Sequence, residues 1–350
     1  MENEYYSQEN HGPYSLFELG DFQLECGRTL ADCQLAYSCF GELNSEKTNA
    51  IVFTVMFSGT NKAMEKYIGK GLALDPEKYF IVVPNQLGSG LSTSPHNAPP
   101  PDEGPDFPQI SIGDDVRAQH RLLTEKFGVK SIDLVLGWSM GGQQTYEWCV
   151  RYPEMVRRAA PIGGTARTTP HDSLYVEVFC EALKSDPAWE HGRYTQPHAV
   201  ELGLKRLAHV FALMGNCTEF YRQEKWTDLG IASLDGYLSG FWETWFKPMD
   251  PNNLLCMASK WKRGDVCAVS GKSLKDTLGS IRAKVFVIAF TQDMFIPLTD
   301  CKYEQEMIPG SELRQVPTLW GHFGMLGLAQ EDFDLINSIL SEALQSPCAA

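Results

Sequence analysis

Positive charge is in short supply in this chain: 30 lysines and arginines stand against 44 aspartates and glutamates, a formal net charge of -14. With a pI near 5.0 no basic excess is available to neutralise phosphates, which argues against nucleic acid or an anionic membrane surface as a partner. Long apolar runs are also missing, none approaching the ~18 residues that mark a membrane span. Residues 1–13 are polar and carry Glu2 and Glu4 where a secretory signal has basic residues and then an apolar run. A soluble cytoplasmic protein is the expectation. Paired cysteines are lacking too. The ten cysteines (26, 33, 39, 149, 180, 217, 256, 267, 301 and 348) are scattered with no Cys-x-x-Cys spacing, so neither a zinc site nor a disulfide framework is expected. Most read as small buried hydrophobes.

What is present is a 43% hydrophobic fraction over 350 residues, enough for one large domain with an insertion or for two smaller ones. Loose alternation over residues 22–40 and the β-rich run 51–57 predict strands, and 61–70 a short helix. A buried strand over 79–84 leads into a Gly/Ser-rich loop, 85–94, and a proline-rich surface loop, 95–108. Helix 112–127, strand 132–136, a turn at 137–141, helix 140–152 and strand 156–162 follow. Such alternation with short links is the signature of an α/β protein with a mostly parallel sheet covered on both faces. It breaks at residue 165. Residues 165–280 read as mostly helical and hold five of the eight tryptophans, which predicts a helical cap inserted into a core of 14–164 and 281–350. Strand 284–290, helix 298–307, strand 312–316 and helix 331–344 complete that core.

The segment Gly137-Trp138-Ser139-Met140-Gly141 lies between an apolar strand and a helix. It fits the Gly-x-Ser-x-Gly elbow, in which flanking glycines permit a tight turn that presents the serine hydroxyl as a nucleophile. A serine needs a base to take its proton and donors to hold the oxyanion. In the order serine, acid, histidine, His322 just after the last strand is the base; the other seven histidines all precede the candidate acid. Asp293, directly after strand 284–290, is that acid, with Asp300 as the rival placed inside the next helix. The backbone N–H of Met140, at the helix N-terminus, is one expected oxyanion donor. Phe57, with Ser58 as the alternative, supplies the second. Gly88-Ser89-Gly90 is not followed by a helix and makes a poor phosphate loop. Asp114-Asp115 reads as a helix start rather than a metal site, and the cap tryptophans read first as packing residues, with an acyl pocket as their second use.

Over nearly its whole length the chain resembles the homoserine O-acetyltransferase family of α/β-hydrolases. The likeness rests on Leu35-Ala36-Tyr37-Ser38-Cys39-Phe40-Gly41-Glu42-Leu43-Asn44, the elbow continued to Arg151-Tyr152-Pro153, Asp186-Pro187-Ala188-Trp189, Asp250-Pro251-Asn252-Asn253 and Gly321-His322. The resemblance implies the α/β-hydrolase fold, a Ser139–Asp293–His322 triad working through an acyl-enzyme without metal or cofactor, and a homodimer formed through the cap. Three positions depart from it. Val55-Met56-Phe57-Ser58-Gly59 replaces the family's His-Ala-Leu-Thr-Gly, Cys180 aligns with an arginine that holds the homoserine carboxylate, and Phe323 replaces an aspartate for the amino group. Without both ionic partners a zwitterion entering a desolvated pocket loses several kcal/mol. The expected function is hydrolysis of an ester, thioester or lactone of a small, fairly apolar metabolite. The alternative is acyl transfer to an acceptor other than homoserine. A binding protein that has lost its chemistry is disfavoured by the intact Ser, Asp and His.

Overall fold

Eight strands form one sheet in the order β1-β2-β4-β3-β5-β6-β7-β8 in the computed structural model, which describes residues 3–196 and 198–347; Cys348 lies outside the described residues. The strands are β1 (Ser15–Gln23), β2 (Thr29–Phe40), β3 (Ala50–Thr54), β4 (Phe80–Pro84), β5 (Ile132–Trp138), β6 (Arg158–Ile162), β7 (Lys284–Phe290) and β8 (Glu312–Val316). β1 and β2 form an antiparallel hairpin at one edge and β2 pairs antiparallel with β4, while every pairing from β4 through β8 is parallel. Each residue of β3 and β4 is buried, as a strand covered on both faces by helices requires.

The main helices are α1 (Ile112–Arg121), α2 (Met140–Arg151), α3 (Pro170–Lys184), α4 (Glu201–Gly215), α5 (Pro251–Lys262), α6 (Leu298–Gln305) and α7 (Gln330–Gln345). Helices α3, α4 and α5, with several short helical turns, fill the stretch between β6 and β7. Among the described residues no helix is long and apolar enough to cross a membrane.

Three boundaries differ from the sequence reading, each for a local reason. The strands expected over 22–40 are the end of β1, a turn and β2, and β1 itself begins earlier, at Ser15. The register shifts around Gly20 break the alternation of β1 and hide it. The helix expected over 61–70 is a single turn, Asn61–Met64, tightened to a 3₁₀ turn at Glu65–Tyr67. The strand expected over 51–57 stops at Thr54 because side chains capture the backbone beyond it. The Val55 carbonyl accepts from Gln86 Nε2 at 2.8 Å and Gln144 Nε2 at 3.2 Å, and a turn closes from Gly59 N–H to the Met56 carbonyl at 3.2 Å. That early exit from the sheet shapes the site described next.

Candidate active site

Strand β5 runs into Ser139, and α2 begins at the next residue. Ser139 has φ 59 and ψ −119, a region that costs a residue with a side chain roughly 1–3 kcal/mol. The surroundings hold it there. Its N–H donates to the Ile162 carbonyl at 2.8 Å, and its carbonyl accepts from Gly142 at 2.8 Å. The two flanking glycines are steric necessities. A Cβ on Gly137 would lie 2.0 Å from Thr54 Oγ1, and one on Gly141 would lie 2.5 Å from the Thr54 carbonyl. The turn therefore presses directly on the end of β3, with Thr54 Oγ1 donating to the Gly141 carbonyl at 2.8 Å.

Asp293 and His322 reach the same place from the ends of β7 and β8. His322 Nδ1 lies 2.6 Å from Asp293 Oδ2, and Asp293 Oδ1 accepts the N–H groups of Phe295 at 2.8 Å and Ile296 at 2.9 Å. One carboxylate oxygen is thus fixed by the loop and the other faces the imidazole. The rival carboxylate, Asp300, sits in the first turn of α6, and it is Asp293 that pairs with His322 Nδ1. Both His322 and Asp293 are buried. Trp138 and Phe295 flank the imidazole, with ring centroids 5.4 and 4.9 Å away. Ser139 and His322 share a cavity wall, and no hydrogen bond joins them among the described residues. Such bonds tighten when substrate binds.

Two backbone donors border the same space. Met140 N–H is one of the unpaired groups at the start of α2. Phe57 N–H also donates to no protein acceptor among the described residues. The turn that carries it is tied to the helical segment above by Trp245 Nε1, which donates to Ser58 Oγ at 3.1 Å.

The cavity over Ser139 is small and almost wholly aromatic. Its walls are Met56, Phe57, Ser58, Trp138, Ser139, Phe211, Phe241, Trp242, Trp245, Phe246, Trp261, Phe295, His322, Phe323 and Leu326, with no lysine, arginine or carboxylate among them. Its rings leave only a narrow slot above Ser139. Phe57 stacks on Phe211 with centroids 5.4 Å apart, and Phe323 meets Trp242 at 4.4 Å. Phe323 can lie there only because residue 215 is glycine. A Cβ at that position would fall 1.8 Å from its ring.

Some sequence expectations need amending. Three of the cap tryptophans, Trp242, Trp245 and Trp261, are cavity wall and not packing alone. Phe323 faces the cavity as its position beside His322 implied. Cys180 is partly buried on α3 and lies off the cavity wall, so the missing cation is better read from the whole wall than from that residue. Asp114 caps α1, accepting Ser111 N–H at 2.9 Å. Its neighbour Asp115 instead makes a fully buried pair with Lys260 of α5 at 2.5 Å, and burial drives its carboxyl up to about 6 against the pull of the lysine. Sequence reading missed that pair. Its only signal is a lysine set among Leu254, Met257, Ala258 and Trp261.

A mostly parallel sheet with a strained serine between strand and helix, and with an acid and a histidine at the ends of later strands, defines an α/β-hydrolase. A family model described as alpha/beta hydrolase fold matches residues 55–203. An ethyl acetate hydrolase of Pseudomonas veronii is 49% identical over 99% of this chain and 99% of its own. A homoserine O-acetyltransferase of Nitrobacter hamburgensis is 30% identical over 97% of this chain and 94% of its own. A solved structure of an acetylester hydrolase from Corynebacterium glutamicum superposes with a TM-score of 0.97 at 44% identity, covering 99% of this chain and 100% of that one. The chain belongs to the α/β-hydrolase family, as an enzyme of the group that joins these esterases with the homoserine O-acetyltransferases.

Proposed function

We propose that the protein hydrolyses neutral esters of very short carboxylic acids, acetyl esters foremost, through an acyl-enzyme on Ser139. The cavity carries this reading. A narrow, uncharged aromatic pocket seats a short acyl group and offers no partner to a zwitterion. The names borne by the P. veronii and C. glutamicum relatives support it.

In the proposed mechanism Ser139 Oγ attacks the ester carbonyl while His322 Nε2 takes its proton. Asp293 holds Nδ1–H and stabilises the imidazolium. The negative charge that develops on the carbonyl oxygen is met by the N–H groups of Phe57 and Met140. Collapse breaks the bond to the alkoxy group, which leaves as the alcohol with the proton from His322. Water then loses a proton to His322, attacks the acyl-enzyme, and releases the acid and the free Ser139 hydroxyl.

A panel of 4-nitrophenyl esters from acetate to octanoate tests the pocket. Acetate is expected to be the best or second-best substrate by kcat/KM, with losses of about tenfold or more for each methylene beyond the fit. A flat or rising profile with chain length would contradict the size argument. The same assay run on acetyl-CoA with simple alcohols separates hydrolysis from transfer, since acceptor-dependent CoA release with negligible hydrolysis would establish the acyltransferase instead.

A homodimer built through the helical segment is proposed alongside. In its support, Leu174 and Val178 on α3 and Leu202 and Leu213 on α4 are exposed apolar side chains, between 48% and 64% accessible. The mass measured by light scattering is expected to be twice that of the chain, and Leu174→Glu with Leu213→Glu is expected to halve it; a monomeric wild type would refute the proposal. A cytoplasmic location is supported by the nine described cysteines, all free thiols. Disulfides in protein isolated without reductant would argue against it.

A further inference from the structure

One buried polar chain runs from the helical segment to the oxyanion turn and has no part in the chemistry above. Lys260, on α5, is wholly buried, and its ammonium has three acceptors: Asp115 Oδ2 at 2.5 Å, the Leu87 carbonyl at 2.8 Å and Gln86 Oε1 at 3.3 Å. An ammonium has three protons to give, so all are engaged. Asp115 Oδ1 in turn accepts the Leu87 N–H at 2.8 Å. The other end of the Gln86 amide, Nε2, donates to the Val55 carbonyl at 2.8 Å and the Met56 carbonyl at 3.2 Å.

The orientation of that amide follows from its two faces. A flipped Gln86 would set its NH₂ against an ammonium and its oxygen against two carbonyls, so Lys260 selects the rotamer that donates to Met56. The peptide between Met56 and Phe57 is trans, and in a trans peptide the C=O and N–H point to opposite sides. Pinning the Met56 carbonyl toward Gln86 therefore turns the Phe57 N–H the other way, toward the cavity that Phe57 and Ser139 both line. Gln86, Lys260 and Asp115 are themselves absent from that wall. A buried ion pair is weak evidence for stability, because desolvation offsets its attraction. Here it has a second consequence, which is to aim a donor.

We propose that Gln86, oriented by the Lys260–Asp115 pair, is a positioning residue that aims the Phe57 N–H at the oxyanion. This rests on the assignment of that N–H as an oxyanion donor and of Ser139 as the nucleophile. Aim matters chiefly in the transition state, so kcat should carry the effect.

The test compares wild type with Gln86→Met, which keeps the length and removes both ends of the amide, and with the double variant Lys260→Met, Asp115→Asn, which removes the charges together and so leaves neither one uncompensated. Kinetics on 4-nitrophenyl acetate, inhibition by a trifluoromethyl ketone that forms a tetrahedral adduct on the serine, and melting temperature are read for each. Loss of a donor of this kind costs about 10²-fold. Gln86→Met is expected to lower kcat by about that factor with KM within about twofold, and to weaken the trifluoromethyl ketone in parallel. The double variant is expected to move kcat in the same direction while melting near the wild-type temperature. Unchanged kcat in Gln86→Met, or a loss shared equally by kcat, KM and melting temperature, overturns the proposal. If Ser139→Ala is inert while Gln86→Met turns over normally, only this positioning role fails. If Ser139→Ala is active, the reading of the site fails first.

Discussion

Ser139→Ala is expected to lower kcat on an acetyl ester by about 10⁶-fold, leaving only a residue of catalysis from the oxyanion donors and from binding. The loss is large because no other group can take over. Ser139 is the only hydroxyl nucleophile on the cavity wall besides Ser58, whose Oγ already accepts the Trp245 indole. His322→Ala should fall to a similar level, since nucleophile and base act as one unit and their losses do not add. The elbow supplies an internal control. Alanine keeps the Cβ, and with it the cost of the positive φ at residue 139, whereas glycine removes both. Ser139→Gly should therefore be equally inert yet more stable than Ser139→Ala by roughly 1 kcal/mol or more, measured by chemical denaturation. An active Ser139→Ala, retaining a tenth of wild-type turnover, would refute the nucleophile.

Replacing Asp293 by asparagine should be nearly as damaging, lowering kcat by about 10⁴-fold with little change in fold. The reason is a tautomer. The amide oxygen of asparagine can keep the bonds from Phe295 and Ile296 that Asp293 Oδ1 accepts. Its NH₂ then faces His322 Nδ1 where Oδ2 stood, so Nδ1 must accept, and the ring proton moves to Nε2, the atom needed as a base. Turnover on 4-nitrophenyl acetate, alongside an unchanged near-ultraviolet spectrum, measures this. A loss below about tenfold would show that the carboxylate does not set the imidazole.

These groups were legible in the sequence because chain order and local context restrict them. A serine between two glycines, placed between an apolar run and a helical pattern, has one geometry open to it. Asp293 at a strand end and His322 as the last histidine then follow. Local pattern could not show where the chain leaves the sheet. Residues 51–57 are apolar but for Thr54, with no break in pattern to mark a strand end, and β3 ends at Thr54 because Gln86 and Gln144 take the Val55 carbonyl. Neither glutamine is near it in sequence. The same holds for Lys260, whose partner is 145 positions away on another helix. Gly215 is the subtlest case: it ends α4, where glycine is ordinary, and its role emerges only once the Phe323 ring is seen lying on it.

The uncharged wall has one further outcome, which concerns departure. A neutral ester enters the aromatic cavity without surrendering strong hydration, but the acid it yields ionises at neutral pH. No lysine or arginine of the wall can receive that anion, which has only the Phe57 and Met140 N–H groups and His322 to meet it, and a carboxylate held from water without a counter-charge is costly. The wall that favours a neutral reactant thus holds the acid product weakly, and little inhibition by accumulated carboxylate product is expected.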